Sequence, residues 1–374
     1  MHPLNQVFLN MEEYMKFAQK VNICFELEHP LGYFSLTPER FYRGNASQLR
    51  MLQYPKPEAF PLDISQPLES PYRRSFNHFY DEYLDNVLWG ISDYRRQLLF
   101  PMGYEGRNGW RVNAQIVCQI QLLQTLMCTP FRLNESWLIL AINYRDTLYL
   151  CLENQGEKPW TQEQRKKSAM ETMLKHRVYK AYNKNHDNAP PEECSEFNYI
   201  LRCQLNDLSV LYSAPLSGAT DPGSNYISDS DIMNLHFVEC KLGKNHRRMD
   251  GRLSTELYSS VEALKWWSEG HLKGVKNFML ALADPYGHVQ KLDPISCDKL
   301  RRDNQNNWSS DFCQQFLWQF LSQIREMMKN VDDCATIYEF NYVAHKRCIY
   351  WNKGSGQHLS FIPEWYRRIL EGNE

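Results

Sequence analysis

The feature that most constrains this chain is the run LHFVECKLGK (235–244), an apolar segment with a Glu-Cys-Lys tripeptide inside it. Its apolar residues predict a strand over 234–242, and positions i and i+2 of a strand face the same side of a sheet. Glu239 and Lys241 should therefore share one face. Such a pair is half of a metal-dependent phosphodiesterase site, in which the carboxylate holds Mg²⁺ or Mn²⁺ and the ammonium holds a water or phosphate. Two or three more carboxylates would have to come from elsewhere in the fold.

Composition narrows the class of protein. The chain has 374 residues, which allows one large domain or two ordinary ones, and its net charge of −2 gives no global signature of nucleic-acid binding. None of its 11 cysteines forms a C-x-x-C motif, a pattern typical of reduced thiols inside the cell. No apolar run is long enough to be a signal peptide or a membrane span, so neither is expected.

Helical and strand patterns alternate along the whole chain. Helices are expected over 70–91, 115–130, 161–185, 257–272 and 311–330, the third opening with a capping box of Thr161 and Gln164. Hairpins are expected over 136–154, 197–216 and 275–292, late strands over 336–343 and 348–354, and extended segments over 1–75. Because no linker-like stretch interrupts this mixture, the sequence predicts a single α/β (α+β) domain over residues 1–374.

Six strings in this order resemble the DXO family of decapping exonucleases, which act in RNA 5′-end quality control. They are GYFSLTPERFYRGNASQLR (32–50), LLQTLMCTPF (122–131), WLILAINYRDTLYL (137–150), HFVECKL (236–242), ALKWWSEGHLKGV (263–275) and FIPEWYRRIL (361–370). The resemblance implies two packed mixed β-sheets surrounded by helices, with a PD-(D/E)xK-nuclease-like core. It also implies removal of incomplete RNA 5′ caps with the help of Mg²⁺ or Mn²⁺.

At most positions of the family's active site, this chain has a different type of residue. Ile120 stands where the family has an arginine, so a guanidinium that clamps phosphate is absent. Lys180 stands at one glutamate, which puts an ammonium where a cation should bind. Pro215 and Ser217 stand at the two ends of an E-x-D motif. Pro215 offers no metal ligand, and the Ser217 hydroxyl is a weak one.

The remaining positions keep part of the pattern. The E-x-K is present as Glu239 and Lys241, and Glu269 stands in place of a glutamine. Of the four carboxylates that the resemblance implies, only Glu239 remains, and two hard divalent cations need several oxygen ligands. The sequence therefore predicts a pseudo-enzyme with no metal cofactor. Lys180 could pair with Glu239, which would plug the pocket. If the two splay apart, Lys180 and Lys241 would instead hold a phosphate.

Two further sets of residues leave alternatives open. Asp221, Asp229 or Asp231 could replace the lost ligands and restore a metal site. A basic run directly after the site strand could follow an RNA backbone, or could simply be a solvated loop. The run comprises Lys241, Lys244, His246, Arg247, Arg248 and Arg252, and Lys265, Lys273 and Lys276 would extend it.

Three functions are compatible with these observations. The first is an inactive protein that binds or shields RNA 5′ ends. The erased site resembles a germline member of the family that works in the nucleus with the heterochromatin reader Rhino and the adaptor Deadlock, in transcription of piRNA source loci. The second is an active hydrolase with relocated metal ligands. The third is a pure protein scaffold, and the resemblance adds a 5′→3′ exonuclease as a possible partner. Nuclear location follows from the resemblance alone.

Overall fold

The structure is a computed structural model that describes residues 6–66, 82–103, 108–153, 161–182, 194–220, 228–244, 257–354 and 360–373. The strands of these ranges are β1 (Gln6–Asn10), β2 (Phe25–Leu27), β3 (Gly32–Leu36), β4 (Tyr42–Arg43), β5 (Arg50–Leu52), β6 (Leu62–Asp63), β7 (Leu99–Pro101), β8 (Trp110–Val112), β9 (Ile116–Gln119), β10 (Trp137–Tyr144), β11 (Thr147–Glu153), β12 (Tyr179–Ala181), β13 (Glu196–Leu205), β14 (Leu208–Leu216), β15 (Ala219–Thr220), β16 (Glu239–Lys244), β17 (Asn277–Ala283), β18 (His288–Ser296), β19 (Tyr338–Val343) and β20 (Cys348–Lys353). The helices are α1 (Met11–Phe17), α2 (Asp85–Asp93), α3 (Arg95–Leu98), α4 (Ile120–Cys128), α5 (Gln162–Val178), α6 (Asp229–Ile232), α7 (Ser260–Lys273), α8 (Cys297–Asp303), α9 (Ser310–Met328) and α10 (Glu364–Glu371). None of these helices is long and apolar enough to cross a membrane.

The largest sheet contains eleven strands. Its order is β1-β20-β19-β10-β11-β9-β14-β13-β3-β4, and β2 also pairs with β13. β9 runs parallel to β11 and to β14, whereas the other neighbours are antiparallel, so the sheet is mixed. The outermost pair joins β1 to β20, two strands that lie far apart in sequence.

Alternate residues of the central strands enter two different hydrophobic clusters. In β10, Ile139 and Ala141 belong to the larger cluster, whereas Leu140 and Ile142 belong to the second. The larger cluster includes buried residues of α4, α7 and α9, and the second includes residues of α2 and α10. Since helices cover both faces of the sheet, β10 reads in the sequence as a nearly unbroken apolar run.

A second mixed sheet carries the Glu-Cys-Lys strand. Its order is β16-β17-β18-β6, with β16 parallel to β17. A third hydrophobic cluster joins this sheet to α5 through Met173, Leu174 and Cys240. Phe278 of β17 lies in the larger cluster together with residues of α7 and of the first sheet. The two sheets and α7 therefore share one core.

Two smaller sheets, of order β12-β5-β15 and β7-β8, accompany the two large ones. The predicted fold class is confirmed by these packed sheets with helices around them. The three predicted hairpins are present as β10-β11, β13-β14 and β17-β18. The helices predicted over 257–272 and 311–330 are α7 and α9, and the two late strands are β19 and β20.

Several predicted bounds were wrong. The segment 115–130 begins as strand β9, because Ile116–Gln119 is inserted between β11 and β14, and only then continues as α4. Helix α5 has the predicted capping box but ends at Val178, since the next residues pair with β5. Of the helix predicted over 70–91, residues 70–81 lie outside the described ranges, and α2 begins only at Asp85.

Two more bounds differ near the chain's beginning and at the site strand. Residues 11–17 form helix α1 rather than an extended segment, because the Asn10 side chain accepts hydrogen bonds from the amides of Glu12 and Glu13 and caps the helix. The site strand β16 begins at Glu239, later than the predicted start at 234.

Candidate functional site

A cavity of about 740 Å³, here called the site cavity, lies where the two mixed sheets meet. The C-terminal ends of β9 and β14 and the N-terminal end of β16 line it, together with α5 and α7. Because β9 and β14 are parallel neighbours, their C-terminal ends lie at the same edge of the first sheet. Residues that directly follow these strands therefore reach the site cavity.

Helices α5 and α7 supply most of its charged side chains. α7 starts at a capping box of Ser259 and Glu262 and ends at Gly274, whose φ of 70° is one that glycine adopts without strain. Lys167 of α5 donates to Glu262 of α7 at 2.5 Å, which links the two helices. Spacings of three and four residues place the lining residues of each helix on one face. They are Gln164, Lys167, Ser168, Glu171, Thr172 and Lys175 of α5 and Glu262, Lys265, Trp266, Glu269 and Lys273 of α7.

Four charged side chains form a connected chain of ion pairs at the inner end of the site cavity, here called the charge quartet: Glu239, Lys241, Glu269 and Lys273. The Lys273 ammonium donates to Glu269 at 2.7 Å and to Glu239 at 3.2 Å. Lys241 donates to the other oxygen of Glu269 at 2.5 Å. Only 2% of the Glu239 side chain and 6% of the Lys273 side chain are exposed, so this contact is shielded from solvent.

Ser217 supplies two further hydrogen bonds to the Glu239 carboxylate. Its hydroxyl donates to Glu239 Oε2 at 2.5 Å, and its backbone amide donates to Oε1 at 3.1 Å. Ser217 lies directly after β14, so the strand end delivers both donors to the carboxylate. Each oxygen of Glu239 thus already accepts at least one hydrogen bond from the protein.

The pKa values of Glu239, Glu269 and Lys273 are shifted in the directions that favour their charged forms. Burial raises the pKa of the Glu239 carboxyl, but Lys273 and Lys241 outweigh burial and bring the pKa below its usual value. The pKa of Glu269 is lowered in the same way by Lys241 and Lys273. Burial lowers the pKa of Lys273, but the two carboxylates raise it above its usual value. Two carboxylates and two ammonium groups therefore neutralise each other without a bound ion.

The structure brings most of the sequence-predicted positions together. Glu239, Lys241 and Glu269 line the site cavity, as the two-residue period of β16 and the helical face of α7 require. The positions with lost residue types, Ile120, Pro215 and Ser217, line the same cavity. Cys240, between Glu239 and Lys241, packs its side chain into the third hydrophobic cluster.

Neither arrangement considered for Lys180 is found, because the partners of Glu239 among the described residues are Ser217 and Lys273, and Lys180 does not line the site cavity beside Lys241. Lys180 lies on β12 opposite Met51, and its side chain is exposed. Its neighbour Tyr179 is buried and donates to the backbone oxygen of Val238 at 2.7 Å. Because side chains alternate along a strand, the burial of Tyr179 turns Lys180 outward. The ammonium that binds Glu239 belongs to Lys273.

The basic run is only partly described by the structure. Lys244 ends β16 with an exposed side chain that is not part of the cavity lining. The prediction for Arg247 and Arg248 lies outside the described residues, as it does for His246 and Arg252.

The residues present do not fit the divalent metal ion that the family resemblance implies. Asp229 accepts a hydrogen bond from Tyr33 at 2.6 Å, and Asp231 caps its own helix through Ser228. Asp221 lies outside the described residues. Among the residues that are described, no three His, Cys, Asp or Glu side chains are placed to hold a metal ion together. Both carboxylates of the charge quartet already bind lysine ammonium groups.

Sequence reasoning missed the role of Lys273, which it placed only in an extended basic patch. One signal was available, because Glu269 and Lys273 have the i,i+4 spacing of a helical ion pair. The contact from Lys273 to Glu239 had no such signal, since it depends on how α7 packs beside β16.

Comparison with known proteins places this architecture in a family. A family model described as RAI1 like PD-(D/E)XK nuclease matches residues 29–367, which is most of the chain. The chain belongs to the RAI1-like PD-(D/E)XK nuclease family. The resemblance to decapping exonucleases noted in the sequence is thereby confirmed.

Two relatives and one solved structure illustrate the membership in this RAI1-like family. Protein cutoff of Drosophila melanogaster is 24% identical over 378 residues, which cover 98% of this chain and 94% of that protein. The decapping and exoribonuclease protein Rai1 of the same species is 23% identical over 350 residues, which cover 91% of this chain and 90% of that protein. The crystal structure of Candida albicans Rai1 in complex with pU5-Mn²⁺ has a TM-score of 0.75 at 10% identity and covers 100% of both chains. At that identity the likeness shows the fold alone.

Proposed function

We propose that this chain is a catalytically inactive member of its family that binds RNA 5′ ends in the site cavity and shields them from processing. One observation carries the inactive part: Lys273 donates to both carboxylates of the charge quartet. An ammonium therefore stands among the oxygens that a divalent ion would use. Metal-assisted hydrolysis needs those oxygens as ligands.

The RNA-binding part is supported by the shape and lining of the site cavity. About 740 Å³ remain open beside the neutral charge quartet. The lining beyond the quartet carries the cations Arg50, Lys167, Lys175 and Lys265, the carboxylates Glu171, Glu196 and Glu262, and several glutamine side chains. Cations hold phosphate groups, and amides can donate to and accept from bases and ribose. In the same fold, Candida albicans Rai1 was crystallised with pU5.

The cellular setting is proposed from similarity to Drosophila cutoff, which this chain matches over 98% of its length. We place the protein in the nucleus, in a complex with Rhino and Deadlock that supports transcription of piRNA source loci. A 5′→3′ exonuclease is a further candidate partner from the family resemblance. Co-purification with tagged protein from germline nuclei tests these partners. Recovery of the tagged protein without Rhino and Deadlock would remove this part of the proposal.

The test of the biochemical function uses purified protein and RNA labelled near its 3′ end. The RNA carries a 5′ monophosphate, triphosphate or cap, each with and without Mn²⁺. Binding and product are measured in the same samples, with Drosophila Rai1 assayed in parallel. We expect binding without product, and we expect Mn²⁺ to make no difference.

Two other outcomes would replace this proposal. Mn²⁺-dependent product that disappears in Glu239→Gln, a variant of nearly unchanged shape, would make the chain an active hydrolase. Neither binding nor product, from protein shown to be folded, would leave a protein scaffold as the function.

A further inference from the structure

Most cations of the site cavity interact with other groups of the protein. Lys241 and Lys273 are neutralised within the charge quartet, and Lys167 is paired with Glu262. Lys265 differs from these three. Within the part of the chain that the structure describes, its ammonium makes no ion pair and no side-chain hydrogen bond, although its side chain lines the same cavity.

The nearby cations Arg132 and Lys167 act on the Lys265 ammonium. Burial lowers the pKa of this ammonium, and the positive charges of Arg132 and Lys167 lower it further. Glu262 opposes this effect, but its carboxylate already accepts from Lys167 and from the backbone amide of Ser259. A half-buried ammonium without a carboxylate partner costs free energy, and a bound anion would offset that cost.

The backbone that carries Lys265 is held firmly. The side-chain amide of Gln124 on α4 donates to the Lys265 backbone oxygen at 2.8 Å, and the Ser268 hydroxyl donates to it at 3.0 Å. The next residue, Trp266, is buried and contacts Tyr258. The Lys265 side chain thus lines the cavity from a fixed point on α7, and only the side chain itself has to be ordered when a ligand binds.

We propose that Lys265, with Lys167 beside it, is the anion site that holds the 5′-terminal phosphate of a bound RNA without a metal ion. This rests on the proposed RNA-end binding and names the group that is recognised. A terminal phosphate monoester carries a charge of about −1.5 to −2 near neutral pH, whereas an internal diester carries about −1. The ammonium of Lys265, which has no carboxylate partner among the described residues and lies near the positive charge of Lys167, therefore favours the terminal phosphate over internal ones.

The experiment compares two RNAs of one sequence, with a 5′ phosphate or a 5′ hydroxyl, in EDTA. The proteins are wild type, Lys265→Met, which keeps most of the apolar stem, and Lys16→Met as an exposed control on α1. We expect wild type and the control to prefer the phosphorylated RNA by about tenfold in Kd, which corresponds to about 1.4 kcal/mol. Lys265→Met should lose that preference and bind the hydroxyl RNA within about twofold of wild type.

Equal binding of the two RNAs by wild type would overturn the inference and leave the proposed function standing. An equal loss of affinity for both RNAs in Lys265→Met would also overturn the inference, because it would indicate that Lys265 contacts the RNA backbone in general. A second measurement separates the site from the RNA. Calorimetry with uridine 5′-monophosphate, and with uridine as control, reports the anion site directly. Wild type should bind uridine 5′-monophosphate, and Lys265→Met should not. If wild type bound this nucleotide but no RNA, the anion site would stand and the proposed function alone would be rejected.

A stability measurement guards against misfolding of the variant. Lys265→Met removes a like-charge contact, so the variant should unfold at the same temperature as wild type or higher in phosphate-free buffer. Added inorganic phosphate should raise the midpoint of wild type and leave that of the variant unchanged. A lower midpoint together with an unchanged response to phosphate would contradict the assignment.

Discussion

The Lys273 ammonium lies 3.2 Å from Glu239 Oε1, and both side chains are almost completely buried. A buried charge is tolerated only when its partner is present, because removing one partner leaves the other uncompensated in a medium of low polarity. The contact links the end of α7 to the start of β16, and it therefore ties the helix of the site cavity to the second sheet.

Replacement of Lys273 by methionine should lower the free energy of unfolding by about 3–5 kcal/mol, because Glu239 is left buried without its cation. Glu239→Gln in the same chain should recover part of this loss, since it removes the uncompensated charge. Chemical denaturation of the four proteins of this double-mutant cycle measures the coupling. A coupling of zero would mean that the two groups do not interact in solution.

A metal site should appear when the ammonium is removed and a third carboxylate is added. Ser217→Asp combined with Lys273→Ala would place three carboxylates around the inner end of the site cavity. We expect this double variant to bind Mn²⁺ with a Kd of about 0.1–1 mM, as loosely built oxygen sites do. Ser217→Asp alone should not bind, because Lys273 still occupies the oxygens. Electron paramagnetic resonance of free Mn²⁺ measures both, and equal binding by the single and double variants would contradict the role of Lys273.

His271 should make stability depend on pH between about 4 and 6.5. Burial lowers its pKa from 6.5 to about 4, and its ring lies 5.3 Å from Trp267 and 4.2 Å from Phe25. Among the described residues its Nε2 has no hydrogen-bond partner. The unfolded chain takes up a proton near pH 6.5, but the folded chain does so only near pH 4. Stability is therefore full above pH 6.5 and falls by about 3 kcal/mol as the pH decreases toward 4.

Denaturation between pH 5 and 7 tests this dependence above the range in which the carboxylates titrate. His271→Phe keeps the aromatic packing and should flatten the slope. His345→Phe, at an exposed position in the turn between β19 and β20, controls for the substitution itself. An unchanged slope in His271→Phe would assign the pH dependence to other groups.

Gly270 should be indispensable for the placement of α7. A Cβ at this position would lie 2.7 Å from Phe278 Cζ and 2.9 Å from the backbone oxygen of Val275, in addition to touching Cys297. Gly270→Ala should cost about 1–3 kcal/mol by overpacking and shift the helix that carries Glu269 and Lys273. Gly103→Ala is the matched control, since a Cβ there meets no atom within 4 Å. Equal thermal midpoints for the two variants would show that α7 can move without cost.

The elements that sequence analysis predicted well have local causes. The hairpin β10-β11 follows from two apolar runs around a short polar turn, and the shared cavity lining of Glu239 and Lys241 follows from the two-residue period of a strand. Both signals lie within a few neighbouring residues. Periodicity also predicted α7 and α9, because each has an apolar face that is buried in the larger cluster.

The errors arose where a tertiary contact decides the local structure. Helical periodicity continues past Val178, but pairing with β5 converts the next residues into a strand and turns Lys180 toward solvent. Likewise, insertion between β11 and β14 makes Ile116–Gln119 extended. The contact of Lys273 with Glu239 joins residues 34 apart in sequence, and no pattern within either segment encodes it.

The pairing of β1 with β20 has a consequence for how the fold is assembled. A ribosome makes β1 long before β20, so β1 lacks its neighbour for most of the time that the chain is being made. Pairings with such large sequence separation form slowly, and an unpaired strand edge can join other chains in the meantime. Completion of the eleven-stranded sheet therefore waits until β20 has been made, and production of this protein should benefit from chaperones that hold nascent chains apart.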